Sequence, residues 1–358
     1  MPSEPTYRQL WQSIMHYGEF DRMPVVHWTT WPEAHREWLQ QGLPENVSHH
    51  QYLNASPMWS GVPVNTGLFP GFEEKTIEET AEYRIFRQGD GVVAQHWKNR
   101  SCIPHYIDFT MKDRAGWPEY KKRLQPCRER VPADLDEQLK KLKDSRQPVC
   151  IGTGSMVGWT RDWMGVENLA YASADDPTLI AEIADTVAEL VCWGIDQVKG
   201  KVAIDVGLGW EDICFKSGPL VSPRIFKQCC VPAYRKVTDK LAEAGCDLYM
   251  VDCDGKVDAL APLWLEGGVN VLFPIEIGTW QADPMAYRRK YGKTLRIFGG
   301  INKLELTKGR AAIDAEIERR VPLMRDGGFI PLPDHLVIPG TPLADYRYYL
   351  DGIRKLRF

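Results

Sequence analysis

Residues 202–255, VAIDVGLGWEDICFKSGPLVSPRIFKQCCVPAYRKVTDKLAEAGCDLYMVDCDG, decide the fold class of this chain. Apolar runs typical of strands stand at the two ends, over residues 202–210 and 247–255. A helix is predicted between them over residues 222–245, because Ser222-Pro223 is a favourable helix start and Gly245 a favourable stop. A helix between two such strands predicts a crossover that joins parallel strands.

The same alternation continues on both sides of this segment. Further strands are predicted in PVCIGTG, VNVLFPIEI, TLRIFGGIN and GFIPL. Further helices are predicted over residues 117–125, 134–145, 176–199, 256–267, 283–291, 311–326 and 342–355. The strands are almost continuously apolar, as parallel strands buried on both faces are. Neither a GxGxxG nor a GxxxxGK[ST] motif is present, so no nucleotide site is predicted.

About eight strand-helix units predict an α/β fold, a single (β/α)8 TIM-type barrel, with an open doubly wound sheet as the alternative. One domain is expected over residues 1–358, with regular units over 116–358. Residues 1–115 are expected to hold an N-terminal helical extension, the first strands and a β insertion. In that insertion YRIFRQGDGVVAQHW, residues 83–97, predicts a hairpin around Gly-Asp-Gly. Two roles stay open for residues 40–115, a lid over the barrel and an oligomer contact.

Composition excludes several classes of function. The 358 residues carry a net charge of −4, which disfavours nucleic acid and anionic membranes as partners. No apolar run approaches the ~20 residues needed to span a bilayer. The first residues lack a secretory signal pattern, so a cytoplasmic location is expected. Nine cysteines without a CxxC pair predict reduced thiols rather than a disulfide framework or a zinc knuckle.

Polar residues follow the predicted strands where the strands end, which is the edge at which α/β barrels build their active sites. Many of them are carboxylates, and carboxylates crowded in a dry cavity repel one another unless a cation or protons compensate their charge; a divalent metal is the economical compensation. Carboxylates with an imidazole or a thiolate suit zinc. The candidate metal ligands are Glu211, Asp252, Cys253, Asp254, Glu276 and His335. Asp252 and Asp254 are also well placed to cap a helix, so that alternative stays open.

His335 is the main candidate for catalysis, because it is the only histidine after His105 in this sequence and stands where a predicted strand ends and a loop begins. Glu211 and Asp254 are the other candidate catalytic residues. Aromatic side chains near strand ends are expected to form the walls of an apolar cavity. The candidate substrate-binding residues are His27, Trp28, Trp31, Trp159, Arg161, Trp210, Asn302 and Lys303.

Several of these segments resemble the uroporphyrinogen decarboxylase superfamily, which includes corrinoid-linked methyltransferases. The decarboxylases carry a Gly-His-Gly turn and a Pro-x-Thr-Pro helix start, and this chain has Pro333-Asp334-His335-Leu336 followed by Pro339-Gly340-Thr341-Pro342. The histidine and the Thr-Pro match, whereas the flanking glycines do not. Asp254-Gly255, Gly300-Ile301-Asn302 and Asp21-Arg22-x-Pro24 are also similar to segments of the superfamily.

Two departures decide what the resemblance implies. The arginine-rich Met-Arg-Gln-Ala-Gly-Arg segment of the decarboxylases is replaced by Val26-His27-Trp28-Thr29-Thr30-Trp31-Pro32, which does not suit a porphyrinogen with eight carboxylates. The zinc-binding His-x-Cys of the methyltransferases is replaced by Asp252-Cys253-Asp254, and the distant cysteine falls at or beside His335. This argues against methylation of a thiol substrate and is compatible with a carboxylate/histidine zinc site.

The resemblance therefore implies a corrinoid-dependent methyltransferase of the O-demethylase type. It would move a methyl group from a small methoxylated aromatic substrate to a corrinoid on a separate protein, with zinc as Lewis acid. A homodimer is possible, since the family often forms dimers. The alternatives are a cofactor-free decarboxylase of a small organic acid and a barrel that binds a ligand without turnover.

Overall fold

A computed structural model of the protein describes residues 4–358. In the segment that decides the fold, strands Val206–Trp210 and Tyr249–Asp252 pair directly and in parallel, as predicted. The helix predicted between them is interrupted at Cys230, and its two parts are Pro223–Cys229 and Val231–Glu243. Pro232 explains the interruption, because proline has no N–H to donate to the preceding turn and its ring clashes with it.

Short strands recur along the whole described chain. In chain order they are β1 Ser60–Gly61, β2 Lys75–Glu79, β3 Tyr83–Arg87, β4 Val92–Trp97, β5 His105–Phe109, β6 Val149–Gly152, β7 Val206–Trp210, β8 Cys214–Phe215, β9 Gly218–Pro219, β10 Tyr249–Asp252, β11 Val271–Phe273, β12 Arg296–Phe298 and β13 Phe329–Ile330.

Helices follow most of the parallel strands. In chain order they are α1 Tyr7–Met15, α2 Pro32–Gln40, α3 His49–Leu53, α4 Trp117–Lys121, α5 Leu135–Lys143, α6 Gly158–Asp175, α7 Pro177–Val198, α8 Pro223–Cys229, α9 Val231–Glu243, α10 Ala261–Glu266, α11 Ile277–Trp280, α12 Pro284–Tyr291, α13 Arg310–Asp326 and α14 Leu343–Lys355.

The parallel strands form one curled sheet in the order β1-β6-β7-β10-β11-β12-β13. Residues 25–31 join its two ends. On one side the His27 N–H donates to the Ser56 carbonyl (3.0 Å), just before β1, and on the other the Trp31 N–H donates to the Val337 carbonyl (3.0 Å), after β13. The predicted α/β, TIM-barrel-like fold is confirmed. The expectation that residues 1–358 form one domain stays a prediction.

The β insertion is an antiparallel sheet of β2, β3, β4 and β5. Its β3–β4 hairpin turns through Gln88–Gly91, and Tyr83 pairs with Trp97 as the Gly-Asp-Gly signal predicts. The role of residues 40–115 as a lid or an oligomer contact stays a prediction.

The sequence does not predict helix α6, because neither its first turn nor its interior carries a favourable local signal for a helix. No side chain of its own N-cap residue bonds to its first turn, and Gly165 (φ 77°) has a non-helical conformation inside it. Its first turn is held instead by a residue from the next strand end. Within residues 4–358, no helix is both long enough and apolar enough to cross a membrane.

Candidate active site at the carboxyl ends of the strands

The carboxylates predicted to converge do reach the same edge of the barrel, but they fall into three groups with different partners. Trp210 at the end of β7 lies in register with Asp252 at the end of β10, and Asp252 lies in register with Phe273 at the end of β11. The residues that follow these strand ends are therefore neighbours. Their hydrogen bonds show which of them are already satisfied by the protein.

Glu211 is the first group, and the protein uses both of its oxygens. Its fully buried carboxylate accepts the N–H groups of Met156 (2.7 Å), Val157 (3.0 Å) and Gly158 (2.7 Å), and also the hydroxyls of Ser155 and Tyr234. These N–H groups stand at the start of α6, so Glu211 supplies the anion that this helix end needs. Burial raises the pKa of Glu211. Glu211, which the sequence predicts as a metal ligand and catalytic residue, thus holds the start of α6 in place.

Replacing Glu211 with glutamine is expected to lower the free energy of unfolding by about 3 kcal/mol, because an amide group then faces buried N–H donors. Chemical denaturation of the purified variant measures this. Glu167→Gln, on the exposed face of the same helix, is the matched control. A Glu211→Gln protein as stable as the wild type would show that the anchor is unimportant.

Glu276 and Asp334 form the second group, and Lys303 lies between them. The Lys303 Nζ atom is 3.1 Å from Glu276 Oε1 and 3.9 Å from Asp334 Oδ1. Glu276 also accepts the Gly255 N–H (2.8 Å). Asp334 accepts the N–H groups of Ile277 (2.7 Å) and Lys303 (2.8 Å). Both carboxylates are buried and both have a cation and N–H donors as partners.

Asp212, Asp252 and Asp254 form the third group. One oxygen of each lies within 4.8 Å of one oxygen of each of the others, and all three side chains are half-buried. The buried Oδ1 atom of Asp254 has no hydrogen-bond partner among the described residues. Burial, and then the charge of Asp254, raises the pKa of Asp212 to about 6. Burial, followed by the charges of Asp212 and Asp254, also raises the pKa of Asp252. We call these three residues the aspartate cluster.

His335 stands beside the aspartate cluster. Its Nε2 atom is 3.3 Å from Asp254 Oδ2. Trp31 stacks on the imidazole with ring centres 5.8 Å apart, and Trp28 meets it edge-on at 6.0 Å. Two predicted substrate-binding tryptophans therefore fix the ring of the predicted catalytic histidine, and they come from the segment that closes the barrel.

Arg161 and Trp210 lie on the other side of the aspartate cluster. The Arg161 guanidinium donates to the Asp212 carbonyl (2.8 Å) and to Asp162 (2.8 Å), and it lies 5.3 Å from the centre of the Trp210 ring. Its buried Nε has no partner among residues 4–358. Trp159, in the first turn of α6, is partly buried and packs against Trp163.

The remaining predicted residues are engaged away from the cluster. Cys253 is buried with its thiol 3.4 Å from the Asp254 carbonyl, and burial raises the pKa of that thiol. The Asn302 side chain accepts the Leu304 N–H (3.0 Å). The Lys303 ammonium faces Glu276 and Asp334. The Cys253 thiol is therefore not one of the grouped side chains that could hold a metal ion within residues 4–358.

His27 is buried on the outside of the barrel wall, among other histidines. Its Nδ1 lies 2.8 Å from the Tyr346 hydroxyl, and its ring centre lies 5.5 Å from that of His49 and 5.3 Å from that of His50. His35 Nδ1 in turn lies 2.8 Å from His49 Nε2. We call His27, His35, His49 and His50 the histidine cluster. It packs against Trp38 of α2 and Tyr346 of α14, and none of its members belongs to the aspartate cluster.

Asp212 is the site residue that the predicted metal shell lacked. The available sequence signal was its position directly after Glu211, as the second of two acidic residues at the end of a strand. Its left-handed backbone (φ 46°) is unusual for a residue other than glycine and is found mostly where the surrounding structure requires it. That conformation cannot be deduced from the sequence.

Comparisons with known proteins agree with this architecture. Residues 138–356 match the uroporphyrinogen decarboxylase (URO-D) family model. The chain is 23% identical over 203 residues to a uroporphyrinogen decarboxylase of Picosynechococcus sp., an alignment that covers 55% of this chain and 53% of that protein. The chain thus spans about half the length of the curated relative it matches. A methyltransferase from Methanosarcina mazei has the same fold, with a TM-score of 0.60, 16% identity and coverage of 98% of both chains. Since the family match extends over more than half of the chain, this protein belongs to the uroporphyrinogen decarboxylase (URO-D) family.

Proposed function

We propose that this protein is a corrinoid-dependent methyltransferase that moves a methyl group from a small methoxylated aromatic substrate to the corrinoid of a separate protein. The observation that carries the proposal is the aspartate cluster. Glu211, Glu276 and Asp334 have a cation or several donors as partners. Asp212, Asp252 and Asp254 instead face one another. Their partners among residues 4–358 are the Asp254 N–H, which donates to Asp212 (3.0 Å), and His335, 3.3 Å from Asp254. Three carboxylates this close together at the active edge of a barrel favour a divalent cation as their compensation.

The donor set fits zinc without a thiolate. Asp212, Asp252 and Asp254 would hold the ion, with His335 as a nitrogen donor, because one imidazole and several carboxylates are accepted zinc ligands. The unpartnered Oδ1 of Asp254 is free to bind a cation. When bound, zinc supplies a Lewis acid that polarises an ether oxygen and eases departure of a phenolate.

The protein's own residues orient the substrate and the imidazole. Trp28 and Trp31 hold the His335 ring from two sides and limit the access of water to it. Trp210 and the guanidinium of Arg161 offer a flat, partly polar wall next to Asp212. An aromatic ring with an oxygen substituent matches these surfaces, since its face packs on tryptophan and its polar edge reaches the guanidinium.

The proposal includes partners that the chain itself does not supply. The corrinoid would be carried by another protein, because this chain has no Asp-x-His-x-x-Gly segment of the corrinoid-binding type. A cytoplasmic location and a homodimer are part of the same proposal.

The test is elemental analysis of the purified protein together with His335→Ala. We expect about one zinc per chain in the wild type and loss of zinc and of methyl transfer, by roughly 100-fold or more, in the folded variant. The exposed His105→Ala in the β insertion is the control and should behave as the wild type. Wild-type methyl transfer by His335→Ala would rule out this site.

The position of Arg161 favours a second candidate, a cofactor-free decarboxylase of a small organic acid. Its Nε, unpartnered among residues 4–358, and its guanidinium charge suit a substrate carboxylate. His335 would then donate the proton that replaces carbon dioxide. This candidate predicts turnover of a carboxylic acid that survives exhaustive chelation, whereas the methyltransferase requires the metal.

A further inference from the structure

We propose that Lys303 is a positioning residue whose ammonium joins the loop that carries Asp254 to the loop that carries His335. The sequence alone placed Lys303 against a substrate and Glu276 around a metal, but their contacts give both a different role. The inference rests on the proposed function in one respect, because the two loops carry the proposed cation ligands.

The first arm of this link runs through Glu276. The Lys303 ammonium bonds to Glu276 Oε1 (3.1 Å), and Glu276 Oε2 accepts the Gly255 N–H (2.8 Å). Gly255 follows Asp254 directly and has a left-handed backbone (φ 87°) packed against the Cys214 carbonyl, where an added Cβ would lie 2.3 Å from that oxygen. The turn that presents Asp254 is therefore held on one side by packing and on the other by Glu276.

The second arm runs through Asp334, the residue before His335. Asp334 is fully buried and accepts the N–H groups of Ile277, Gly278 and Lys303, at 2.7, 3.1 and 2.8 Å. The ammonium of Lys303 lies 3.9 Å from its Oδ1 atom. The backbone and the side chain of one residue thus both hold the start of the loop that carries His335.

Charge balance makes Lys303 the common element. Glu276 and Asp334 are two buried carboxylates, with 7% and 0% of the side chain exposed, and the Lys303 side chain between them is only 12% exposed. Without the ammonium, two buried anions would face each other across the loops. They would separate or take up protons, and the 3.3 Å contact between His335 and Asp254 would be lost. Groups that orient metal ligands from behind typically contribute 10-fold to 100-fold in metal affinity.

The experiment compares Lys303→Met with Lys303→Arg and with Lys308→Met, which removes an exposed lysine whose ion-pair partner is the nearby Glu305. Hydrogen exchange of the chelator-treated proteins comes first. We expect faster exchange of the Gly255 and Ile277–Gly278 amides in Lys303→Met, near wild-type exchange in Lys303→Arg, and unchanged exchange of the Glu211-bound amides of Met156–Gly158. Wild-type protection of Gly255 and Ile277–Gly278 in Lys303→Met would overturn the proposal.

Titration with Zn²⁺ against a competing chelator then separates the two hypotheses. We expect zinc affinity to fall about 10-fold to 100-fold in Lys303→Met and to recover largely in Lys303→Arg. A wild type that binds no zinc contradicts the proposed function and leaves the hydrogen-exchange result to decide the role of Lys303. Tight binding by both wild type and Lys303→Met would contradict the positioning role alone. If Lys303→Met does not fold, Lys303→Gln, which keeps a polar group between the two carboxylates but removes the charge, takes its place with the same expected results.

Discussion

Asp252→Asn is expected to make the chelator-treated protein more stable and, in the same variant, to weaken zinc binding by roughly 100-fold or more. Two unit charges about 5 Å apart repel by about 3 kcal/mol at the effective dielectric constant of a protein, and partial exposure of the cluster reduces this to about 1 kcal/mol. Removal of one of three mutually repelling carboxylates should therefore raise the free energy of unfolding by about 1 kcal/mol. The same change removes a ligand, and even groups behind the ligands contribute up to about 100-fold.

Opposite signs in one variant make this a demanding test. Urea denaturation near neutral pH with a chelator gives the stability, and titration with Zn²⁺ gives the affinity. Asp239→Asn, on the exposed face of α9, should change neither quantity. A chelator-treated Asp252→Asn protein that is clearly less stable than the wild type would mean that the cluster holds itself together without a cation, and the zinc proposal would lose its main support.

Acid is expected to destabilise the protein through the histidine cluster, well above the pH at which carboxylates normally titrate. Burial, and then the charges of His50 and His49, lowers the pKa of His27 to about 3. Burial is also the largest cause that lowers the pKa of His49 and of His50. Within residues 4–358, the only charged groups that act on these three imidazoles are other histidines. No nearby carboxylate therefore stabilises their protonated forms. The Tyr346 hydroxyl from α14 is a neutral partner.

The direction follows from proton uptake. A histidine whose pKa is lower in the folded state binds its proton mainly in the unfolded state, so stability is full above the unfolded pKa of about 6.5 and falls as the pH drops below it. For His27 alone, the loss between about pH 8 and pH 5 is about 2 kcal/mol. His49 and His50 add to the loss in the same direction. Denaturation midpoints measured across this range test the prediction.

Two variants locate the effect. His27→Gln keeps a polar partner for Tyr346 and cannot titrate, so the dependence of its unfolding free energy on pH should be shallower than that of the wild type. His105→Gln, on the exposed face of β5, should leave the dependence unchanged. Equal slopes for wild type and His27→Gln between pH 8 and pH 5 would show that the cluster does not control acid stability.

The sequence could predict the parallel sheet and its edge because apolar runs, Ser-Pro starts and glycine stops are local signals. Strands β7, β10, β11, β12 and β13 all lie inside the segments predicted for them. Helix α6 could not be predicted from local signals, because the group that stabilises its start is Glu211, more than fifty residues away along the chain. A capping residue that comes from another strand leaves no mark near the helix it caps.

The sequence could predict which residues lie at the site, but not which of their side chains contact one another. Every candidate carboxylate reached the expected edge, yet the sequence could not tell that Glu276 faces Lys303 while Asp254 faces Asp212 and Asp252. Those choices depend on side-chain directions at strand ends and on the left-handed backbone of Asp212. His27 shows the same limit, since the sequence could not tell that Trp28 and Trp31 reach His335 while His27 contacts Tyr346.

The bonds that join residues 25–31 to Val337 also have a consequence for biosynthesis. Trp28 and Trp31 are synthesised long before His335 and the backbone that Trp31 bonds to. Contacts between such distant parts of a chain form late, because most of the intervening chain must already be ordered. A nascent chain that has not yet reached His335 therefore lacks the imidazole beside the aspartate cluster and the partner of Trp31, however much of the barrel it has formed.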